Sequence, residues 1–158
     1  MAGELLKIIA KIDMTHVPYK GSAPAIVDTI GGHVEVLFAG VSSLLPHFKS
    51  GRLRPLATGS SKRLPILPAL PTFIETGYPE MTTSVWFGFM APAATPPAIL
   101  AKLNADIDGV LSSREVHDQL VADGQEPGGG SREQFDAFLR NEIAKYAKVI
   151  KTAGIRIE

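Results

Sequence analysis

The sequence predicts an α/β fold, in which a short, mostly parallel sheet is flanked by helices and followed by a helical C-terminal segment. The first half alternates extended runs with short helices in the order strand, helix, strand, helix, strand. This order is typical of parallel strands joined by right-handed crossovers. The last third has helical spacing and no fourth strand–helix repeat. We therefore place an α/β lobe at residues 1–92 and a helical segment at residues 93–158.

Apolar spacing locates the elements of the first half. An amphipathic helix is expected at the start, although no capping residue precedes it. Val34, Val36 and Phe38 recur at every second position, which predicts a strand, and Pro55 moves the third strand towards a sheet edge. The predicted helices span residues 2–11, 24–30 and 44–49, and the predicted strands span residues 14–19, 33–40 and 53–58.

Prolines interrupt the middle of the chain, and the end is helical. Four prolines between residues 65 and 79 leave room only for a short helix at 71–76, ended by Gly77. Ser131 and Gln134 have the spacing of a capping box before the last helix. The other predictions are a strand at 82–90, helices at 98–111, at 114–123 and from 131 to about residue 152, and a terminal strand that contains Ile155 and Ile157.

The sequence VPYKGSAPAIVDTIGG, residues 17–32, predicts a strand, a tight turn and a helix. Gly21 allows a positive φ at the turn, Ser22 is expected to cap the helix, and Pro24 suits its first turn. Such a junction directs free N–H groups and the positive end of a helix dipole towards one point, which suits a carboxylate or a phosphate. An ordinary strand–helix turn without a ligand is the alternative.

Composition limits the classes of function. The 158 residues are 45% hydrophobic and 20% charged, which is ordinary for one soluble domain. A formal net charge of zero gives no general attraction to nucleic acid or to anionic membranes. Cysteine is absent, which excludes disulfides and thiolate metal sites. No apolar run is long enough to cross a bilayer, and charges near the N-terminus interrupt any signal-peptide core, so we expect no export signal.

The residues that could carry chemistry do not form a catalytic pattern. The four histidines are far apart, and the spacings GxGxxG, GxxxxGK[ST] and GxSxG do not occur. Asp106 and Asp108 are two positions apart on a helix and therefore face different directions. We predict no enzyme activity, no cofactor and no metal site. Trp86 and Phe87 are expected either to line a pocket or to pack in a core.

A series of short motifs resembles the Bug-type extracytoplasmic solute receptors, the binding proteins of tripartite tricarboxylate transporters. The order and spacing of the motifs are kept over nearly the whole chain. They are HVPYKGSAPA at residues 16–25, GRLRPLA at 51–57, LPALPTFIETG at 67–77, WFGFMAPAATPP at 86–97, KLN at 102–104 and AGI at 153–155.

The resemblance implies a periplasmic binding protein of type II, whose two α/β lobes close on a small carboxylate. Glycine-rich turns would hold one carboxyl group through backbone N–H groups, and membrane transporter subunits would be the partners. Ala39 and Gly40 would lie next to the first turn, since ligands gather at the carboxyl ends of parallel strands. The resulting candidate ligand-binding residues are Tyr19, Gly21, Ser22, Ala23, Ala39, Gly40 and Trp86.

The chain also departs from the family pattern. Family members are much longer, and AGEL at residues 2–5 resembles a family helix that follows a GxGTxxH loop not found here. We therefore expect most of the first lobe to be missing. Ala39 and Gly40 stand where many relatives carry an acidic or polar residue, which would change selectivity towards ligands with an amino group.

Two alternatives to a receptor domain remain open. One is a truncated structural remnant that forms a homodimer or a larger oligomer and binds no ligand, and an enzyme is the more distant one. In the first case the contact would involve the apolar face of the last helix, because the C-terminal helices of relatives pack on the first lobe. The residues of that face are Phe135, Phe138, Leu139, Ile143, Tyr146 and Ile150.

Overall fold

The computed structural model describes residues 1–155, and these are built from six α-helices joined by turns and extended segments. The six helices predicted in the first half and after residue 97 are confirmed, with small shifts at their ends. None of the helices in residues 1–155 is both long and apolar enough to traverse a membrane. The helices are α1 (Ala2–Ala10), α2 (Ser22–Ile30), α3 (Val41–Lys49), α4 (Pro97–Ser112), α5 (Arg114–Ala122) and α6 (Arg132–Ala153).

The prediction of a mostly parallel sheet is wrong. Within residues 1–155 the one β-bridge is a parallel contact between Thr58 and Thr72. It is formed by the amide of Thr58, which donates to Pro71 at 2.9 Å, and by the amide of Phe73, which donates to Thr58 at 3.0 Å. The segments predicted as strands at 14–19, 33–40, 53–58 and 82–90 contribute no ladder beyond this bridge.

The physical reason is that alternation defines a strand only where one of its faces becomes buried. In the 33–40 segment Val36 and Phe38, which share a face of the predicted strand, both remain exposed. Without a buried face, nothing selects a pairing register for these residues. Strand pairing also requires a second segment at the right distance, which is not a property of the local sequence.

The proline-rich middle is ordered by side-chain hydrogen bonds. The predicted helix at 71–76 is wrong, because these residues form turns that end at Gly77 with a φ of 96°. The carboxylate of Glu75 accepts the amide of Thr72 at 2.8 Å, and the hydroxyl of Thr72 accepts the amide of Glu75 at 3.1 Å. Arg63 Nε donates to both carboxylate oxygens of Glu75, at 2.9 and 3.0 Å. These contacts replace the backbone ladder that prolines cannot provide.

The two ends of the described chain pack on each other. Leu5 of α1, Val149 of α6 and the fully buried Met81 form the main apolar cluster. Burying side chains of this size stabilises a fold by about 1.5–3 kcal/mol each. The helix α6 is well defined at both ends, because Ser131 and Gln134 form the predicted capping box and Gly154 ends the helix with a φ of 64°. Ile157, part of the predicted terminal strand, lies outside the described residues.

Candidate functional site

Residues 19–23 form a turn, called here the 19–23 turn, between an extended segment and the start of α2. Gly21 has φ and ψ of 113° and 174°, a conformation that is essentially restricted to glycine. The expectation that Gly21 provides a positive φ is therefore confirmed. The prediction that Ser22 caps α2 is wrong, because Gly21 holds the N-cap position and Ser22 is the first helical residue.

The start of α2 is open. No side chain among the described residues caps this helix, so Ser22 and Ala23 present the unpaired amides that every helix has in its first turn. Both residues are exposed, and a β-carbon placed on Gly21 would have no heavy atom within 4 Å. The positive end of the α2 dipole therefore faces unoccupied space, an arrangement that favours an anion.

The side chain of Tyr19 points back to α2. Its hydroxyl donates to Asp28 Oδ2 at 2.7 Å, and Asp28 Oδ1 lies 3.6 Å from Nδ1 of His33. The hydrogen bond to Asp28, with smaller contributions from desolvation and from the negative charge, raises the pKa of Tyr19. Asp28 is not apparent as a site residue from the sequence, although it is the one charged residue of α2.

Ala39 and Gly40 lie at the start of the neighbouring helix. Gly40 is the N-cap of α3, again without a side-chain cap among the described residues, and its carbonyl accepts both the amide and the hydroxyl of Ser43, at 3.2 and 2.8 Å. The helices α2 and α3 contact each other. The order of extended segment followed by helix thus occurs at the starts of two helices that contact each other, and within residues 1–155 no sheet joins them.

Trp86 is half-buried and packs against α6. Its indole makes edge-to-face contacts with Phe135 and Phe138, with ring centroids 5.9 and 5.4 Å apart. A β-carbon on Gly40 would lie 3.8 Å from Cγ2 of Val85. The segment that carries Trp86 therefore lies beside the start of α3, while the indole itself is held by α6.

The titratable residues of this region show no metal-binding arrangement. Within residues 1–155, no three or more histidine, cysteine, aspartate or glutamate side chains come together as potential metal ligands. What the two helix starts offer is backbone N–H groups next to open space. This chemistry suits the recognition of an anionic group by neutral donors.

Comparison with known proteins identifies a family to which the chain is similar. The family model described as "Tripartite tricarboxylate transporter family receptor" (TctC) matches residues 1–155. The protein BugT of Bordetella pertussis is 38% identical over 155 residues, which cover 98% of this chain and 48% of BugT.

Two solved structures are similar to most of this chain. R. palustris Rpa4515 with adipate is 40% identical with a TM-score of 0.86, and the match covers 98% of this chain and 52% of that protein. MatC (Rpa3494) from Rhodopseudomonas palustris with bound malate is 28% identical with a TM-score of 0.78, over 94% of this chain and 52% of that protein. The chain thus spans about half the length of BugT and of each of these two proteins.

Proposed function

This chain belongs to the tripartite tricarboxylate transporter receptor family, and from that premise we propose that it holds one carboxylate group of a small organic acid. The resemblance inferred from the sequence motifs is confirmed by the family match over residues 1–155. A receptor family agrees with the prediction that the chain is not an enzyme.

The observation that carries the proposal is the geometry of Gly21 at the open start of α2. Its φ of 113° turns the backbone so that α2 can begin at the next residue. We propose that the amides of Gly21, Ser22 and Ala23 donate to the ligand carboxylate, as expected for an anion at a helix N-terminus. The space beside Gly21 supports this role, since a β-carbon there would meet no other atom of the described chain within 4 Å.

The class of ligand is proposed from the solved relatives. Their structures contain adipate and malate, both of which are small aliphatic dicarboxylates. We propose that this chain binds one end of such a dicarboxylate, with Ala39 and Gly40 at the second helix start as neighbours and Trp86 at the side of the site. Ala39 and Gly40 carry no charge that would attract an amino group, so an acid without an amino group is expected to bind better.

The cellular role is proposed by analogy with the family. A receptor of this kind would act in the periplasm and deliver its ligand to membrane subunits of a tripartite transporter. The division into a lobe at residues 1–92 and a helical segment at 93–158 remains part of the proposal. In this division the candidate ligand residues all belong to the first of the two parts.

A titration of the ¹⁵N-labelled chain with adipate and malate tests the proposal. We expect amide shifts at Gly21, Ser22 and Ala23, with an affinity of about millimolar, because a few neutral donors provide little beyond the cost of association. Dimethyl adipate is the matched control, since it has the same carbon chain without the two charges. Glutamate tests the selectivity against an amino group.

The possible outcomes show whether a carboxylate group binds at the 19–23 turn. Shifts at the 19–23 turn with the diacids and none with the ester would support the proposal. Shifts confined to residues outside the 19–23 turn and the start of α3 would contradict the site. If no acid causes any shift, the receptor function of this chain is contradicted as a whole.

A second candidate function is self-association without a ligand, and the exposed apolar residues favour it. Phe87 is 84% exposed, and its neighbours Val85, Phe89 and Met90 are also exposed. Phe135, on the α6 face predicted for this contact, instead packs against Trp86. We therefore propose that any contact between copies uses the 85–90 segment.

Light scattering at micromolar concentration tests this second candidate. A dimer that is lost in Phe87→Ser but kept in Ile143→Ser would support it, since Ile143 is an exposed apolar residue of α6. A monomeric wild-type chain would contradict self-association. A dimer lost only in Ile143→Ser would show that the contact uses α6 and would contradict the 85–90 segment as the contact.

A further inference from the structure

We propose that Asp28 is a positioning residue of the carboxylate site, because it holds Tyr19 and thereby the 19–23 turn in place at the start of α2. This inference rests on the proposed function. It concerns a residue that does not touch the ligand itself but controls whether the backbone donors are ready for it.

The need for such a residue follows from the freedom of Gly21. Glycine reaches the observed φ of 113° without a steric cost, but for the same reason it can also leave that conformation. A turn that depends on glycine alone would therefore sample many arrangements, and the ligand would have to order it on binding. A contact made by the segment that precedes α2, close to Gly21, orders the turn before the ligand binds.

The hydrogen bond between Tyr19 and Asp28 provides this contact. The two residues are nine positions apart, with the whole 19–23 turn between them, and the distance from Oη to Oδ2 is 2.7 Å. Both side chains are half-buried, so water competes less for the bond than it does at an exposed site. A hydrogen bond to an ionised carboxylate is also stronger than one between neutral groups.

Asp28 also contacts His33, in the turn that follows α2. Its backbone carbonyl accepts the amide of His33 at 2.9 Å, and its Oδ1 lies 3.6 Å from Nδ1 of the same histidine. The Asp28 carboxylate thus contacts both Tyr19, in the segment before α2, and His33, in the turn after it. Tyr19, which the sequence analysis assigned to ligand contact, accordingly acts through its bond to Asp28.

The direction in which Asp28→Ala changes adipate affinity separates a positioning role from direct electrostatic repulsion. Asp28 is negatively charged, and a negative charge near the site repels a ligand carboxylate. If direct repulsion dominated, Asp28→Ala would bind adipate more tightly than the wild type. If Asp28 positions the turn, Asp28→Ala binds adipate about tenfold more weakly, which is the loss expected from one charged hydrogen bond.

A double-mutant cycle with Tyr19→Phe completes the test, since this variant removes one hydroxyl and no charge. We expect Tyr19→Phe to weaken adipate binding by a factor similar to that of Asp28→Ala, and the double variant to be no weaker than either. If the Tyr19 hydroxyl contacted the ligand directly, Tyr19→Phe would also weaken binding in the Asp28→Ala background. Asp13→Ala, which removes an exposed acidic side chain elsewhere, is the matched control and should leave affinity unchanged.

A spectroscopic measurement accompanies the affinities. The pKa of Tyr19, followed by ¹³C NMR of its ring Cζ, is raised in the wild type and should fall towards the ordinary value for tyrosine in Asp28→Ala. If Asp28→Ala does not fold, as judged by circular dichroism, Asp28→Ser, whose side chain is one atom shorter than that of aspartate, replaces it in the single and double variants. Unchanged adipate affinity in both variants overturns the inference while the proposed function stands. A wild-type chain that binds no dicarboxylate overturns both.

Discussion

The substitution Gly21→Ala tests the conformation of the 19–23 turn most directly. Gly21 has φ and ψ of 113° and 174°, and a residue with a β-carbon is strained there by about 1–3 kcal/mol. The new methyl group would have no heavy atom within 4 Å, so no steric clash adds to this cost. We therefore expect the free energy of unfolding to fall by about 2 kcal/mol for a reason that lies in the backbone alone.

Equilibrium unfolding in urea measures this loss, and two other glycines provide the controls. A β-carbon on Gly128 or on Gly109 also meets open space, and neither residue has a positive φ. Gly128→Ala should leave stability unchanged or raise it by about 0.4–1 kcal/mol, and Gly109→Ala, inside α4, should raise it by about 0.5–1 kcal/mol. A Gly21→Ala variant as stable as these controls would refute the positive φ at the turn.

The same variant connects the turn to ligand binding. The strain is relieved if residue 21 moves to a negative φ, and this movement redirects the amides at the start of α2. We expect the adipate-induced shifts of Ser22 and Ala23 to disappear in Gly21→Ala but to persist in Gly128→Ala. Full adipate affinity in a Gly21→Ala chain that has lost stability would show that the anion binds elsewhere.

Three further predictions concern stability. Gly59→Ala should destabilise the fold by about 3 kcal/mol, because the new β-carbon would lie 2.1 Å from the carbonyl oxygen of Thr83. Ser131→Ala should cost about 1 kcal/mol through the loss of the α6 cap. The pKa of Glu75 is lowered, chiefly by the hydrogen bond from the amide of Thr72. The contribution of Glu75 to the free energy of unfolding is therefore present above its unfolded pKa of 4.5 and is lost as the pH falls through its lower pKa in the folded state. In Glu75→Gln, the free energy of unfolding should therefore depend less on pH in this acidic range.

Each of these predictions has a measurement that checks it. Thermal and urea unfolding compare Gly59→Ala with Gly109→Ala, and equal stabilities would contradict the close approach at Gly59. Ser22→Ala is the matched control for Ser131→Ala, since Ser22 also begins a helix but caps nothing. Equal losses in the two serine variants would argue against a specific cap. Urea unfolding at a series of pH values compares the wild type with Glu75→Gln, and parallel curves would contradict the role of Glu75.

The helices could be predicted from the sequence because their determinants are local. Ser131 and Gln134 stand at the spacing of a capping box, and both of its hydrogen bonds are present at the start of α6. Gly154 ends the same helix with a positive φ. Capping, helical apolar spacing and glycine at a helix end act within a few residues of each other, so they are readable from the chain in order.

The candidate site was only partly predictable. The strand–turn–helix pattern indicated the turn and Gly21, because positive φ at a junction is a local requirement. It did not indicate Asp28, whose role depends on a contact across nine residues. Trp86 likewise contacts Phe135 and Phe138, which are about fifty positions away in the sequence.

What the sequence by itself determined is the six helices that form, the glycine turn before α2 and, through its motifs, the family. The tertiary structure decided the rest: it left the alternating segments unpaired, with Val36 and Phe38 exposed, and it turned Tyr19 towards Asp28. The physical reason is that local preferences arise from neighbours along the chain, whereas strand pairing, burial and side-chain partners require segments that only the folded backbone brings together.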